Sequence, residues 1–397
     1  MFGFCHLIFI ISARRKMPVK SFFSRHTPAR FFTSGTVICS EVILLCVLSL
    51  SILSHSVRSG RPWPPGLSSM NTAAPAKEPY IKWVDFNVTS QALNDAFRCD
   101  VDTVQSPVHL NWIELLAYLG AKYGGDFSHY QKKDLDVLVN ALTDGSETMA
   151  HLTENMQYYS YYLEAYTAVL GGMVGEFESE IPSSQAPAYL LPSGIEGGTE
   201  ADPKKVWAKQ YGLKAFSPIA KHFPYSDYDD FGAARDYGYR RQHLGHDFLG
   251  QTGTPIIAVE SGVVEAIGWN QYGGWRLGIR SFDKKRYYYY AHLRKNYPYQ
   301  SCLKEGSIVQ AGDVIGYLGR TGYSTTENTN NIDESHLHFG IQLIFDESQK
   351  EGNHEIWIDC YELSKFLRQH QSETKKTEGT KEWNRIYDFR DPAVPTS

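Results

Sequence analysis

Cysteine is scarce in this chain. There are six in 397 residues: Cys5, Cys39 and Cys46 near the N-terminus, and Cys99, Cys302 and Cys360 in the body. That density excludes a disulfide-built scaffold, although Cys302 and Cys360 could form one bridge. An excess of positive charge is also missing. Lys+Arg is 39 against Asp+Glu 44, a net charge of −5, so there is no broad field for a nucleic acid and none is expected as a partner. Nor is there an apolar run of the roughly 20 residues that a bilayer-spanning helix needs. The run from Val42 to Leu53 is short, and extending it back to Val37 gives 17 residues but takes in Glu41. Core material is not lacking: 42% hydrophobic and 14% aromatic residues exclude wholesale disorder. At about 100–200 residues per domain, two or three domains fit the length.

Arg14, Arg15, Lys16, Lys20, Arg25 and Arg30 precede that apolar run. Residues 1–58 therefore read as a basic leader whose segment 37–53 is either a signal anchor, with the N-terminus inside, or the core of a cleaved signal peptide. Met17 could be the true start. Either way, the remainder is expected outside the cytoplasm, joined to the membrane or secreted. Residues 59–78, with RPWPPG, form a linker. Residues 79–177 read as a small all-α domain. Thr89 or Ser90 can cap a first helix, Asn111 caps WIELLAYLGAKY, and Gly124-Gly125 closes it. Two further helices are expected over 128–142 and 147–171. The second carries Tyr158, Tyr159, Tyr161, Tyr162 and Tyr166, a band that serves packing or, alternatively, glycan stacking. This region could be a spacer, a cover over an active site, or a docking module for an envelope partner protein. A second linker is expected over 178–203.

From residue 204 the pattern changes. Short runs such as GVVEAIGW, WRLGIRSF, RYYYYAHL and HLHFGIQLIF alternate β-branched or aromatic residues at period two, with glycines between them. They indicate an antiparallel β domain over 204–368. A helix is expected at 361–367 and a polar, loose tail over 369–397. The fold class is α+β overall: a mainly antiparallel β domain preceded by a small all-α domain and an N-terminal membrane or signal segment.

Three motifs in the β domain carry chemistry: His243-Leu-Gly-His246-Asp247, Tyr290-Ala-His292-Leu, and Ser335-His336-Leu-His338-Phe339. On a strand, His336 and His338 project from one face while Leu337 points the other way. His243 and Asp247 lie four apart around Gly245, so a bend there can turn both toward one cation. Two imidazoles with a carboxylate suit zinc, and a catalytic zinc keeps three protein ligands and one open position. Three of these groups are expected to bind metal, with a remaining His acting on the water. Tyr287 to Tyr290 alternate faces, half toward a groove and half into packing. Arg235, Arg240 and Arg241 either meet acidic substrate groups or lie in a solvated loop. Tyr272 and Trp275 would border the groove. Asp230 has no assignable role.

HLGHD, YAHL and HLHFG, in this order, together with GTPIIAVESGVVEAIG and GSIVQAGDVIGYLGRTGYS between them, resemble the lysostaphin/LytM-type zinc metallopeptidases over about residues 216–367. The resemblance implies a compact antiparallel fold, duplicated-hybrid-motif-like, in the cell envelope. It implies one Zn²⁺ per chain and hydrolysis of peptide bonds in peptidoglycan stem or cross-bridge peptides. It makes His243, Asp247 and His338 the metal ligands, His336 the general base and His292 the stabiliser of the oxyanion. His246 falls outside the pattern and is expected to be structural. A catalytically silent wall-binding scaffold is the alternative.

Overall fold

The computed structural model describes residues 80–186, 204–236, 240–352 and 354–395. The leader, its segment 37–53, Met17, the first linker and most of the second fall outside these residues. Among the described residues no helix is long and apolar enough to cross a membrane.

The N-terminal part is helical, as its caps dictate. The Thr89 hydroxyl accepts from Ala92 N and starts Ser90–Thr103. The Asn111 side chain accepts from Ile113 N and Glu114 N and starts Trp112–Tyr123, which ends on Gly124 at φ 64°. The helix expected from 128 begins instead at Lys132, after a short 3₁₀ turn at Phe127–His129. The one expected over 147–171 is divided into Met149–Thr153 and Tyr159–Leu170. The tyrosine band mostly packs: Tyr166 is fully buried, Tyr162 partly, and Tyr158 is exposed.

The main sheet has eight antiparallel strands. Along it run Ile308–Val309, Gly262–Asn270, Gly274–Ser281, Arg286–Ala291, His336–Leu343, His246–Gly250 and Tyr225–Ser226. Ile356–Ile358 pairs with the C-terminal half of His336–Leu343, whose N-terminal half pairs with His246–Gly250. Period two holds along the tyrosine strand. Tyr288 and Tyr290 are fully buried, while Tyr287 and Tyr289 line the groove.

Further expectations need correction. The second linker does not begin at 178: Val174–Pro182 is a strand, paired over its whole length with Lys205–Leu213. The pairing runs from Val174 opposite Leu213 to Pro182 opposite Lys205. The tail over 369–397 is not loose. Thr374–Lys376 pairs with Trp383–Arg385, and Phe389–Arg390 adds to Val174–Pro182. The reason is two aromatic anchors scattered among polar residues: Phe389, 2% exposed and tilted against Phe177, and Trp383, packed edge-on to Phe223. Finally, Cys302 is exposed and Cys360 buried, and both are free thiols, so no bridge joins them.

The helical part is not a separate domain. Residues 77–397 form one compact unit, and one hydrophobic core runs from Val84 through Leu119 and Tyr166 to Phe339 and Phe366.

Candidate functional site

The site sits on the face of the main sheet where the strand His336–Leu343 meets its neighbours. His338 lies opposite Asp247 on one side and opposite Ala291 on the other. Leu337, between the two histidines, is buried on the far face. That alternation aims His336 and His338 into the same groove, a cleft of about 1010 Å³. Gly245 makes the remaining space. A Cβ there would stand 2.6 Å from His338 Cε1 and 2.7 Å from the Phe339 carbonyl oxygen. Only glycine lets the HLGHD loop press its His243 against the strand.

Three atoms converge. His243 Nε2 lies 3.1 Å from Asp247 Oδ1 and 2.9 Å from His338 Nδ1, and the latter is 3.0 Å from the same carboxylate oxygen. Ligands at about 2.0–2.1 Å from a tetrahedral zinc would stand roughly 3.3 Å apart, only a few tenths of an ångström wider than this triangle. The chemistry of the set fits as well. The Nδ1–H of His243 is turned to Asp230, whose backbone oxygen accepts at 3.3 Å and whose carboxylate Oδ1 lies 3.0 Å away. Nε2 therefore presents a lone pair, and two imidazole nitrogens with one ionised oxygen make a cation-seeking set.

The electrostatics agree. Burial alone would raise the Asp247 pKa, but its close contacts with the His243 and His338 rings outweigh burial and hold the carboxyl well below the usual range. Burial lowers the His338 pKa, so the ring is neutral. At His243 burial opposes the proton, yet the hydrogen bond and charge of Asp247 outweigh burial and raise its pKa.

Two further imidazoles face the triangle. His336 donates from Nδ1 to the Glu334 carbonyl at 3.0 Å, which leaves the lone pair on Nε2, 3.8 Å from Asp247 Oδ1. His292 donates from Nδ1 to the Thr321 carbonyl at 2.9 Å, and its ring centroid is 4.8 Å from that of His336. Its backbone is held at φ 62°, a costly region for a non-glycine residue, by a bond from its N–H to Gly273 O at 2.7 Å. Burial and the neighbouring His336 and His338 press the His292 pKa well below its ordinary value. The neutral ring, with Nδ1–H already spent, has no proton left on Nε2.

All five residues singled out from the sequence thus meet in one groove. His246 does not join them: it is 1% exposed and bound to Asp227 at 2.9 Å. Tyr272 lines the groove, whereas Trp275 packs against Trp269 and Tyr299. Two roles were missed. Asp230 backs His243, and Arg235, at the edge of the groove, donates to Asp247 Oδ2 at 3.2 Å and also to Asp230. Arg241 meets Tyr323, with the guanidinium 5.1 Å from the ring centre. The spacing SDYDDFGAAR offered no periodic signal for these contacts.

Residues 241–351 match the sequence profile of peptidase family M23. An L-Ala–D-Glu endopeptidase of Bacillus subtilis is 39% identical over 130 residues, 33% of this chain and 38% of that protein. Lysostaphin of Staphylococcus simulans is 40% identical over 98 residues, 24% of this chain and 17% of that protein. The chain thus spans well under half the length of these curated relatives. The solved catalytic domain of lysostaphin from Staphylococcus simulans is 31% identical, with a TM-score of 0.28, covering 36% of this chain and 92% of that one. A LytM crystal structure from Ruminococcus gnavus is 20% identical with a TM-score of 0.47, covering 73% of this chain and 91% of that one. Within the sheet that carries the three converging donors, residues 241–351 are a domain of peptidase family M23.

Proposed function

We propose that this protein is a zinc-dependent endopeptidase that cuts amide bonds in peptidoglycan stem or cross-bridge peptides, acting outside the cytoplasm. The observation that carries the reading is the triangle of His243 Nε2, Asp247 Oδ1 and His338 Nδ1, each within 3.1 Å of the other two, at the floor of an open groove. These three would hold one zinc ion per chain, which would supply Lewis acidity to acidify water and polarise a carbonyl.

The chain's own groups then divide the proton work. His336 Nε2 presents a lone pair, because Nδ1–H is bonded to Glu334 O, so it removes the proton of the attacking water. Water oxygen bonds to the carbonyl carbon, the C–N bond breaks, and the proton passes from His336 to the leaving amine. The family resemblance gives His292 the oxyanion. Its tautomer argues otherwise, since Nε2 of the neutral ring accepts and cannot donate. We assign it to hold the water's second hydrogen, so that the oxygen lone pair faces the carbonyl. A catalytically silent scaffold would have no need of either lone pair.

The test is purified full-length protein incubated with intact peptidoglycan, and the products analysed by mass spectrometry. One new amine and one new carboxylate per cut, lost with a chelator and restored by zinc, is the expected result. Release of sugars alone, or cutting that ignores the chelator, would overturn the reading.

A further inference from the structure

Asp247 has two oxygens, and the structure gives them different neighbours. Oδ1 faces His243 at 3.1 Å and His338 at 3.0 Å. Oδ2 accepts from Arg235 Nη2 at 3.2 Å, and the same nitrogen donates to Asp230 Oδ2. Asp230 in turn lies behind His243, its Oδ1 3.0 Å from Nδ1. That Oδ1 is buried and has no aligned hydrogen-bond donor. Asp230, Arg235, Asp247 and His243 therefore close a ring of contacts behind the converging atoms. The backbone locks this ring in place. Gly232 N donates to His243 O at 2.7 Å, His243 N to Ala233 O at 2.9 Å, and Ala233 N to Asp230 O at 3.1 Å.

We propose that Asp230 and Arg235 are positioning residues of the metal site: Arg235 keeps Asp247 bound through one oxygen only, and Asp230 fixes the tautomer of His243. The proposal rests on the metal-binding reading and extends it to two residues outside the donor triangle. The physical reason is coordination number. A carboxylate with both oxygens free tends to turn and grip a cation with both. A zinc ion so gripped fills the position that a water or substrate must occupy. Holding Oδ2 on a guanidinium leaves Oδ1 as the single available ligand atom. Arg235 also places one positive charge between two largely buried carboxylates, which could not otherwise share the space without mutual repulsion. On the other side, a carbonyl and carboxylate at Nδ1 hold the proton there and make Nε2 the more basic ligand.

The experiment uses the full chain loaded with Co²⁺ as a spectroscopic stand-in for zinc. Affinity is read by competition with a chelator, and folding by thermal melts. In Arg235→Met, Asp247 is free to bind through both oxygens. The visible Co²⁺ absorption should weaken from the strong bands of four ligands toward the fainter bands of five or more. Arg235→Lys, which keeps the charge but not the fork, should fall between that variant and wild type. Asp230→Ala should loosen Co²⁺ and Zn²⁺ by roughly 10–100-fold and shift the ¹⁵N resonances of the His243 ring in the metal-free protein, with Asp230→Asn milder. A purely structural role would change the melts and leave the spectrum of the folded, loaded fraction untouched; that result would overturn the proposal. So would folded Arg235→Met and Asp230→Ala proteins with wild-type spectra and affinities. A wild type that binds no Co²⁺ would instead remove the metal reading beneath both proposals. An intact metal site that cuts no wall peptide would overturn only the peptidase reading.

Discussion

An imidazole has two nitrogens, and the bond made by one decides the chemistry of the other. In this groove three of the four histidines commit Nδ1–H to a backbone carbonyl: His243 to Asp230, His292 to Thr321 and His336 to Glu334. Each bond leaves a lone pair on Nε2. His338 differs, because its Nδ1 is the atom that joins the triangle. The difference separates the two members of the His-x-His pair and predicts opposite results for their loss. His338→Ala removes one of three ligands, so bound zinc and turnover should disappear together. His336→Ala removes a base 3.8 Å from the carboxylate oxygen. Zinc stoichiometry should survive while kcat falls by about 10²–10⁴. Zinc counted by mass spectrometry beside kcat decides the matter; metal lost from His336→Ala would break the division of roles. The pair itself was legible in the sequence, since period two on a strand puts His336 and His338 on one face and Leu337 on the other. Asp230 and Arg235 were not legible. Their contacts arise because the turn at 230–233 folds back on His243, and no periodicity records such a return.

A buried cation joins the main sheet to the last helix of the N-terminal part. Arg286, at the start of Arg286–Ala291, is completely enclosed. Its Nε and Nη2 bond Glu260 at 2.8 and 3.0 Å, Nη2 also bonds Asp283 at 2.7 Å, and Nη1 donates to Ala168 O at 2.7 Å. Ala168 belongs to the last turn of Tyr159–Leu170, where free carbonyls carry partial negative charge. Tyr288 completes the shell by donating to Glu260 at 2.6 Å. Gly172 follows that helix without a side chain, as it must: a Cβ there would fall 1.7 Å from Glu260 Oε1. Arg286→Met strips this cluster of its cation and leaves Glu260 buried beside a tyrosine hydroxyl alone. The expected cost is about 3–5 kcal/mol, read by denaturant titration. Adding Glu260→Gln should recover part of it, because the orphaned charge is then gone. Arg286 does not line the groove, so kcat of the folded fraction should stay at the wild-type level. A loss under about 1 kcal/mol would mean that the helix is held by apolar packing and that the cluster is incidental. The helix caps around Thr89, Asn111 and Gly124 could be read from the sequence because capping is local. The Arg286 cluster could not, since Arg286 and Ala168 lie 118 residues apart in the chain.

The sequence suggested a helical domain that could cover the groove, dock a partner or act as a spacer. None of the groove's lining residues among those described comes from 80–177, so a cover finds no support. The contacts lie elsewhere. Phe366 stacks on Trp112 at 5.8 Å and meets Phe97 edge-on at 5.7 Å. Glu362 accepts from Ser90 N at 2.7 Å, capping contact and helix start at once. Asp100, 1% exposed, ties together Trp112 N, His109 and Tyr211 at 2.9, 2.9 and 2.7 Å. Tyr211 lies on the hairpin strand Lys205–Leu213, so even the first strand after the second linker is fastened to the helices. Removing 80–177 would return Leu363, Phe366 and Leu367 to water, at about 1.5–3 kcal/mol for each large apolar side chain. It would also strand Arg286 against absent carbonyls. Those losses approach the whole stability of an ordinary domain, about 5–15 kcal/mol. A chain beginning at Lys204 is therefore expected to melt at least 10 °C lower than one beginning at residue 77, or to be insoluble. Its turnover per bound zinc should not rise. Calorimetry on the two chains, with zinc-normalised rates, checks both halves. A shortened chain that keeps its melting temperature and cuts faster would restore the cover. The helices are better understood as one wall of the same core, against which the sheet bearing His338 and Asp247 is held in register.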